Sequence, residues 1–235
     1  KLNALNEAGW EGLRVALERA EEDPDVRVAI LTGSGRAFCA GDDIAMMSKW
    51  KTPMDVKAWN ERYATPLVEK LIEFKKPLIT LVNGFAFGGG LELNIFADIV
   101  IASKEAVFAI PEVLIGGFPP LASSLGTLFV SKKLIRYALT GEWLSADQCR
   151  ELGLVDIVVS SDQLEATGAE MVMKILRAGP LGVEAVKSSA RACRRAYKEL
   201  MRAALQEVVI LSSSQDLAEG TRAFLERRTP MWRGK

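Results

Sequence analysis

The chain has no histidine among its 235 residues. Acid–base chemistry therefore falls to carboxylates, lysine, tyrosine or cysteine, and Ser-His-Asp and Cys-His arrangements and most zinc sites are excluded. Carboxylates are the natural choice, and two stand next to turns. Glu92 lies in Gly84–Asn94, GFAFGGGLELN, where a turn that only glycine can make is followed by a helix start. N–H groups at such a start are unpaired and favour a negative oxygen, so the N–H of Gly89 is a candidate donor with Glu92 in the first helical turn. Glu112 follows Ile110-Pro111 at the end of a short strand, in the kind of loop where sites are built. A third segment, FCAGDDI at residues 38–44, has Gly41 at a sharp turn, which lets the N–H of Asp42 project. Two amide donors for a developing oxyanion and two carboxylates for its protons would make a proton-transfer site.

These groups need a scaffold that delivers turns. An amphipathic helix is expected over residues 3–22, from Leu5, Trp10, Leu13, Ala16, Leu17 and Ala20 at helical spacing, stopped by Asp23-Pro24-Asp25. Residues 26–32 are rich in β-branched side chains and read as a buried strand. Residues 44–53 are irregular, a second helix is expected over 54–74, and the apolar run 77–82 is the strand before the glycine turn. Strands follow at 99–102 and 107–109, then an irregular segment through Pro120 and short helices over 121–139. Ser145 with Gln148 has capping-box spacing for the next helix, and a strand returns at 154–159. Beyond residue 160 the pattern turns helical, at 163–177, 183–211 and 218–228. The fold class is therefore α/β, with a body at 1–160 and a helical C-terminal domain at 161–235.

Composition narrows the function classes. Lys plus Arg and Asp plus Glu both total 30, so no basic excess points to nucleic acid. Three cysteines, Cys39, Cys149 and Cys193, imply a reducing, cytoplasmic setting rather than a disulfide framework. Cys39 has no base partner in view and reads as a small apolar residue. The apolar stretch 77–102 is broken by Asn83, Glu92, Asn94, Asp98 and glycines, so no membrane span is expected. The chain opens at Lys1, which suggests that an opening strand is missing.

In combination the segments resemble the crotonase, or enoyl-CoA hydratase/isomerase, superfamily. The resemblance runs through KLNALN (1–6), GRAFCAGDDI (35–44), VNGFAFGGGLEL (82–93), IPEVLIG (110–116), LTGEWLSADQCRELGLVD (139–156) and AFLERRTPMWRGK (223–235). It implies a spiral of ββα turns with a C-terminal helical domain that packs in trimers or dimers of trimers. It places the two oxyanion-hole amides on Asp42 and Gly89 and the two hydratase glutamates on Glu92 and Glu112. It implies hydration of a trans-2-enoyl-CoA in fatty-acid β-oxidation, with Glu92 as base toward water and Glu112 as proton donor to the α-carbon. No metal or separate cofactor is implied, because coenzyme A is part of the substrate. Its binding is expected at Lys1, Leu2, Ala4, Ala40, Asp43, Ile44 and Gly88, with Phe224 and Lys235 near the nucleotide.

The chain departs from the family pattern in three places. Ala45 stands where many hydratases have a basic residue, and Trp232 replaces a common Phe. Residues 118–124, Phe-Pro-Pro-Leu-Ala-Ser-Ser, replace a glycine-rich run that lines the acyl pocket in relatives. Trp50 and Tyr63 are candidates for shaping that pocket. The alternatives are an enoyl-CoA isomerase or cyclic dienoyl-CoA hydratase on the same scaffold, and, in another class, a non-catalytic RNA-binding or scaffold homologue.

Overall fold

The computed structural model describes all residues 1–235. Eight strands form two four-stranded sheets, and up to β6 the chain alternates between them. The first sheet has β1 (Ala29–Thr32), β3 (Leu78–Val82), β5 (Ile99–Ser103) and β8 (Ile157–Val159) in that order, all parallel. The second has β2 (Ala37–Cys39), β4 (Phe85–Phe87), β6 (Val107–Ala109) and β7 (Trp143–Ser145), parallel except for the β6–β7 pair. From β1 to β6 each passage puts one strand into each sheet, and because β4 and β6 are parallel the turns from β3 to β4 and from β5 to β6 enter the second sheet at the same end.

The first helix, α1 (Glu7–Glu22), starts four residues later than the expected residue 3. Leu2 and Asn3 are both left-handed (φ 57°), and the Asn6 side chain accepts from the Gly9 N–H at 3.0 Å as the helix cap. One helical turn, α2 (Ile44–Met47), forms in the segment expected to be irregular; Asp43 caps it by accepting from the Ala45 N–H. The helix expected at 54–74 is α3 (Pro53–Trp59), a π turn at Asn60–Ala64, and α4 (Thr65–Glu73). A four-residue α5 (Gly89–Glu92) follows β4. Next come α6 (Thr127–Phe129), α7 (Leu134–Thr140) and α8 (Ala146–Leu152). The last has the capping box read from sequence, with both Ser145–Gln148 bonds formed.

Four helices close the chain: α9 (Leu164–Arg177), α10 (Pro180–Arg195), α11 (Lys198–Leu211) and α12 (Gln215–Glu226). The helix expected over 183–211 is thus two, broken at Ala196-Tyr197. One core holds the body together, and Met201 and Leu205 of α11 belong to it. On the far face of the first sheet Leu164, at the start of α9, packs against Ile79, Leu81 and Ile101. This accounts for β3 being apolar at almost every position: a strand covered on both faces has no polar side. The buried Lys187 ties α10 to the body through Asp98 at 2.6 Å, and Asp98 also accepts from the Leu78 N–H. No helix is long and apolar enough to cross a membrane. All three cysteines are free thiols.

Candidate active site

Two backbone turns meet at the C-terminal ends of the parallel strands β2 and β4. β4 ends at Gly88, whose φ of 53° and ψ of −124° suit glycine alone, and the chain enters α5 at Gly89. β2 ends in the turn at Gly41, where a Cβ would stand 2.8 Å from the Phe87 carbonyl and 3.4 Å from the Gly89 nitrogen. Only the missing side chain lets the turns close on each other. Around the Gly41 turn the backbone is otherwise tied: the Leu5 N–H donates to the Gly41 carbonyl and the Asp43 N–H to the Leu5 carbonyl. Between those bonds the Asp42 N–H has no partner, nor has the Gly89 N–H across the turn. Two free donors thus stand side by side on touching turns.

The carboxylates approach the same place. Glu92, at the end of α5, is 5% exposed, and its Oε1 accepts from the N–H groups of Leu121 (2.9 Å) and Ala122 (2.8 Å). Those donors open the π turn Ala122–Gly126, so the Phe118–Ser124 segment has a direct role in holding Glu92. Glu112 opens a 3₁₀ turn (Glu112–Ile115) after β6, and its Oε2 is buried without a hydrogen-bond partner. Its Oε1 lies 2.6 Å from where a Gly88 Cβ would be, so this carboxyl sits over the Gly88–Gly89 turn. A third carboxylate, Asp42, accepts from the Trp10 indole at 2.8 Å.

All three border one cavity of about 130 Å³, whose wall contains no lysine or arginine. Burial without a cation favours the protonated forms. It pushes Asp42 up to about 6 against the pull of the Trp10 N–H. Glu92 is raised by burial, opposed by its two N–H donors. Glu112 is raised by burial and then by the negative charge of Glu92. Glu92, with two donors from other residues, is the member better suited to ionise, and Glu112, raised further by the charge of Glu92 and with no partner on Oε2, the member better suited to hold a proton. Burial also pushes the Cys39 thiol up to about 11, which keeps it out of nucleophilic work.

Of the residues singled out from sequence, Ala40, Asp42, Ile44, Gly88, Gly89, Glu92 and Glu112 all border this cavity. Lys1, Leu2, Ala4, Asp43, Phe224 and Lys235 do not. Leu2 lies alongside through its carbonyl, which accepts from the Ala40 N–H, whereas the Asp43 side chain caps α2. Phe224 is exposed on α12, and the Lys235 carbonyl accepts from the Gln215 N–H at the start of that helix. Trp50 lines the cavity; Tyr63 instead packs behind it on Trp59, 6.2 Å between ring centroids. Sequence reading missed Trp10, Trp59, Leu205 and Leu217 as lining residues. Each carried an ordinary core signal, an apolar residue at helical spacing, and no local mark of a site.

Comparison with known proteins agrees across the whole chain. Residues 1–235 match the family described as enoyl-CoA hydratase/isomerase. The chain is 34% identical to the 2,3-dehydroadipyl-CoA hydratase of Escherichia coli K12, covering 99% of this chain and 91% of that protein. It is 33% identical to the carnitinyl-CoA dehydratase of Proteus mirabilis, over 100% and 92%. Among solved structures, a carnitinyl-CoA hydratase from Mycobacterium avium superposes with a TM-score of 0.85 at 30% identity, covering 99% of this chain and 90% of that one. An enoyl-CoA hydratase from Mycobacterium avium subsp. paratuberculosis gives 0.83 at 28%, over 99% and 90%. The α/β fold, with one parallel and one mixed sheet and C-terminal helices, is the fold of these structures.

Proposed function

The chain belongs to the enoyl-CoA hydratase/isomerase family, a family of enzymes acting on acyl-CoA thioesters, and from that premise we propose that it adds water across the 2,3 double bond of a trans-2-enoyl-CoA. The observation that carries this reading is the pair of glutamates, Glu92 buried and Glu112 half-buried, bordering one cavity with two unpartnered N–H groups. The thioester oxygen accepts from the Asp42 and Gly89 amides. Negative charge grows on that oxygen as the enolate forms, so these donors stabilise the transition state more than the ground state. Glu92, ionised on its two N–H donors, takes a proton from water as the water oxygen bonds to C3. Glu112 gives its proton to C2, and the product is the 3-hydroxyacyl-CoA. The two carboxyls then exchange the proton back, and no group outside the chain and the substrate is needed.

Lys1, Leu2 and Ala4, beside the Ala40–Gly41 turn, are proposed to hold the coenzyme A moiety, with Phe224 and Lys235 near its nucleotide. The helical segment 161–235 is proposed to act as a unit that also packs the protein into trimers or dimers of trimers. The names of the relatives point to hydration or dehydration as the reaction class and differ in acyl group, so the acyl preference belongs to the pocket. The test is purified protein with crotonyl-CoA. Enoyl absorbance falls and 3-hydroxybutyryl-CoA appears if the reading holds. If absorbance is unchanged while a 3-enoyl-CoA is converted to its 2-enoyl isomer, the reaction is isomerisation and the hydratase reading fails.

A further inference from the structure

The catalytic cavity has a neighbour. A second cavity of about 370 Å³ lies between the segment 47–50 and α12, reaching Thr221 and Leu225 with Arg222 and Glu226 at its rim. Four residues, Met47, Trp50, Ser212 and Leu217, line both cavities, so they form the wall between them. Leu217, 8% exposed, reaches this wall from the first turn of α12. The inner cavity, about 130 Å³, is slightly smaller than the roughly 150 Å³ that holds a benzene ring, which suits an acyl tail of about four to six carbons. A longer tail cannot extend deeper, because Val68, Leu121 and Leu205 on that side are themselves buried in the core. The wall shared with the second cavity offers a direction for growth.

We infer that the wall formed by Leu217, Met47 and Trp50 sets the acyl-chain length, making this a short-chain enzyme with an unused long-chain compartment behind it. This inference rests on the hydratase reading of the cavity and specifies the substrate class it takes. The Leu217 side of the wall is held in place, because the start of α12 is clamped from both sides. Ser214 caps it by accepting from the Leu217 N–H. Asp216 accepts from the N–H groups of Arg233 and Gly234 at 2.7 and 2.8 Å, and the Gln215 N–H donates to the Lys235 carbonyl. The C-terminal tail thus holds the helix that carries Leu217.

The experiment measures kcat/KM on crotonyl-CoA and trans-2-decenoyl-CoA for the wild type, Leu217→Ala and Met47→Ala. The wild type prefers the four-carbon chain by about a hundredfold, and each variant narrows that ratio by about tenfold through a gain on the ten-carbon chain. Met47 is only half-buried, so its variant keeps the test alive if Leu217→Ala folds poorly. Equal wild-type turnover of both chains, or an unchanged ratio in a folded variant, overturns the inference. Binding of butyryl-CoA and decanoyl-CoA, which cannot be hydrated, is followed in parallel by quenching of tryptophan fluorescence. A short-chain binding preference that Met47→Ala relaxes, without any hydration, leaves the wall standing and removes the hydratase reading. Hydration without a chain-length preference removes the wall alone.

Discussion

Helix α12 rests on the turn that carries Glu112 with backbone against backbone, and a single methyl group would separate them. A Cβ at Gly220 would lie 2.3 Å from the Ile115 carbonyl oxygen and 2.4 Å from its carbon. That is about 1 Å short of ordinary contact, and the obstacle is main chain, which cannot rotate away. Gly220→Ala therefore moves either α12 or the Glu112–Ile115 turn by roughly 1 Å. A displacement of that size at a reacting group costs about a hundredfold in rate. The alanine itself favours helix by about 1 kcal/mol, against an overpacking cost of about 1–3 kcal/mol, so stability changes little. Gly182→Ala on α10 is the control, because nothing lies within 4 Å of its Cβ position. It gains up to about 1 kcal/mol of stability and leaves activity intact. The assay is kcat on crotonyl-CoA beside urea unfolding for both variants. Turnover within twofold of wild type in Gly220→Ala would show that α12 does not position Glu112.

Asp42 titrates at about 6 in the folded protein, raised by burial from an ordinary 3.8, so the native state holds the extra proton between those values. Stability contributed by the protonated form is present below about pH 4 and lost as pH rises through 6, a change of about 3 kcal/mol. Asn at this position keeps the acceptor for Trp10 and carries no charge. Asp42→Asn is thus more stable than wild type by up to that amount at pH 8 and equal to it near pH 4, as read from urea midpoints; a gap that does not vary with pH would contradict this. Trp10→Phe removes the donor and leaves the Asp42 carboxylate unpaired, costing about 1.5–3 kcal/mol at pH 8. In the Asp42→Asn background the same change costs distinctly less, and equal costs in both backgrounds would show that the indole does not stabilise the charge.

The residues proposed to do chemistry carry local patterns in the chain, glycine turns with carboxylates beside them. FCAGDDI, the Gly88–Gly90 turn and Glu112 were found apart in sequence and lie around one cavity. What was not legible is whatever depends on partners far along the chain. β2, β4 and β7 are three residues each, too short to show a period, and β2 is buried throughout, so nothing alternates. The strand that delivers the glycine turn is accordingly β4, not the longer apolar β3. The π turn at Asn60–Ala64 hides inside an unbroken helical pattern. Asn6 had capping chemistry, but the left-handed Leu2 and Asn3 before it gave no sign, since neither is a glycine. The grip of Leu121 and Ala122 on Glu92 spans 29 and 30 residues and uses backbone donors, which no side-chain identity announces. The same holds for Leu217, an unremarkable helical leucine until the helix is folded back over the cavity.

The central claim is that Glu92 and Glu112 act as one acid–base unit on a substrate held by two amides. Its most direct test is kcat on crotonyl-CoA for Glu92→Gln, Glu112→Gln and the double variant, with folding checked by circular dichroism. Residues that work as a unit are non-additive. Each single change is therefore expected to lower kcat by about a thousandfold or more, and the double to fall little further. A single variant close to wild-type turnover, or two moderate losses that multiply in the double, would contradict the account.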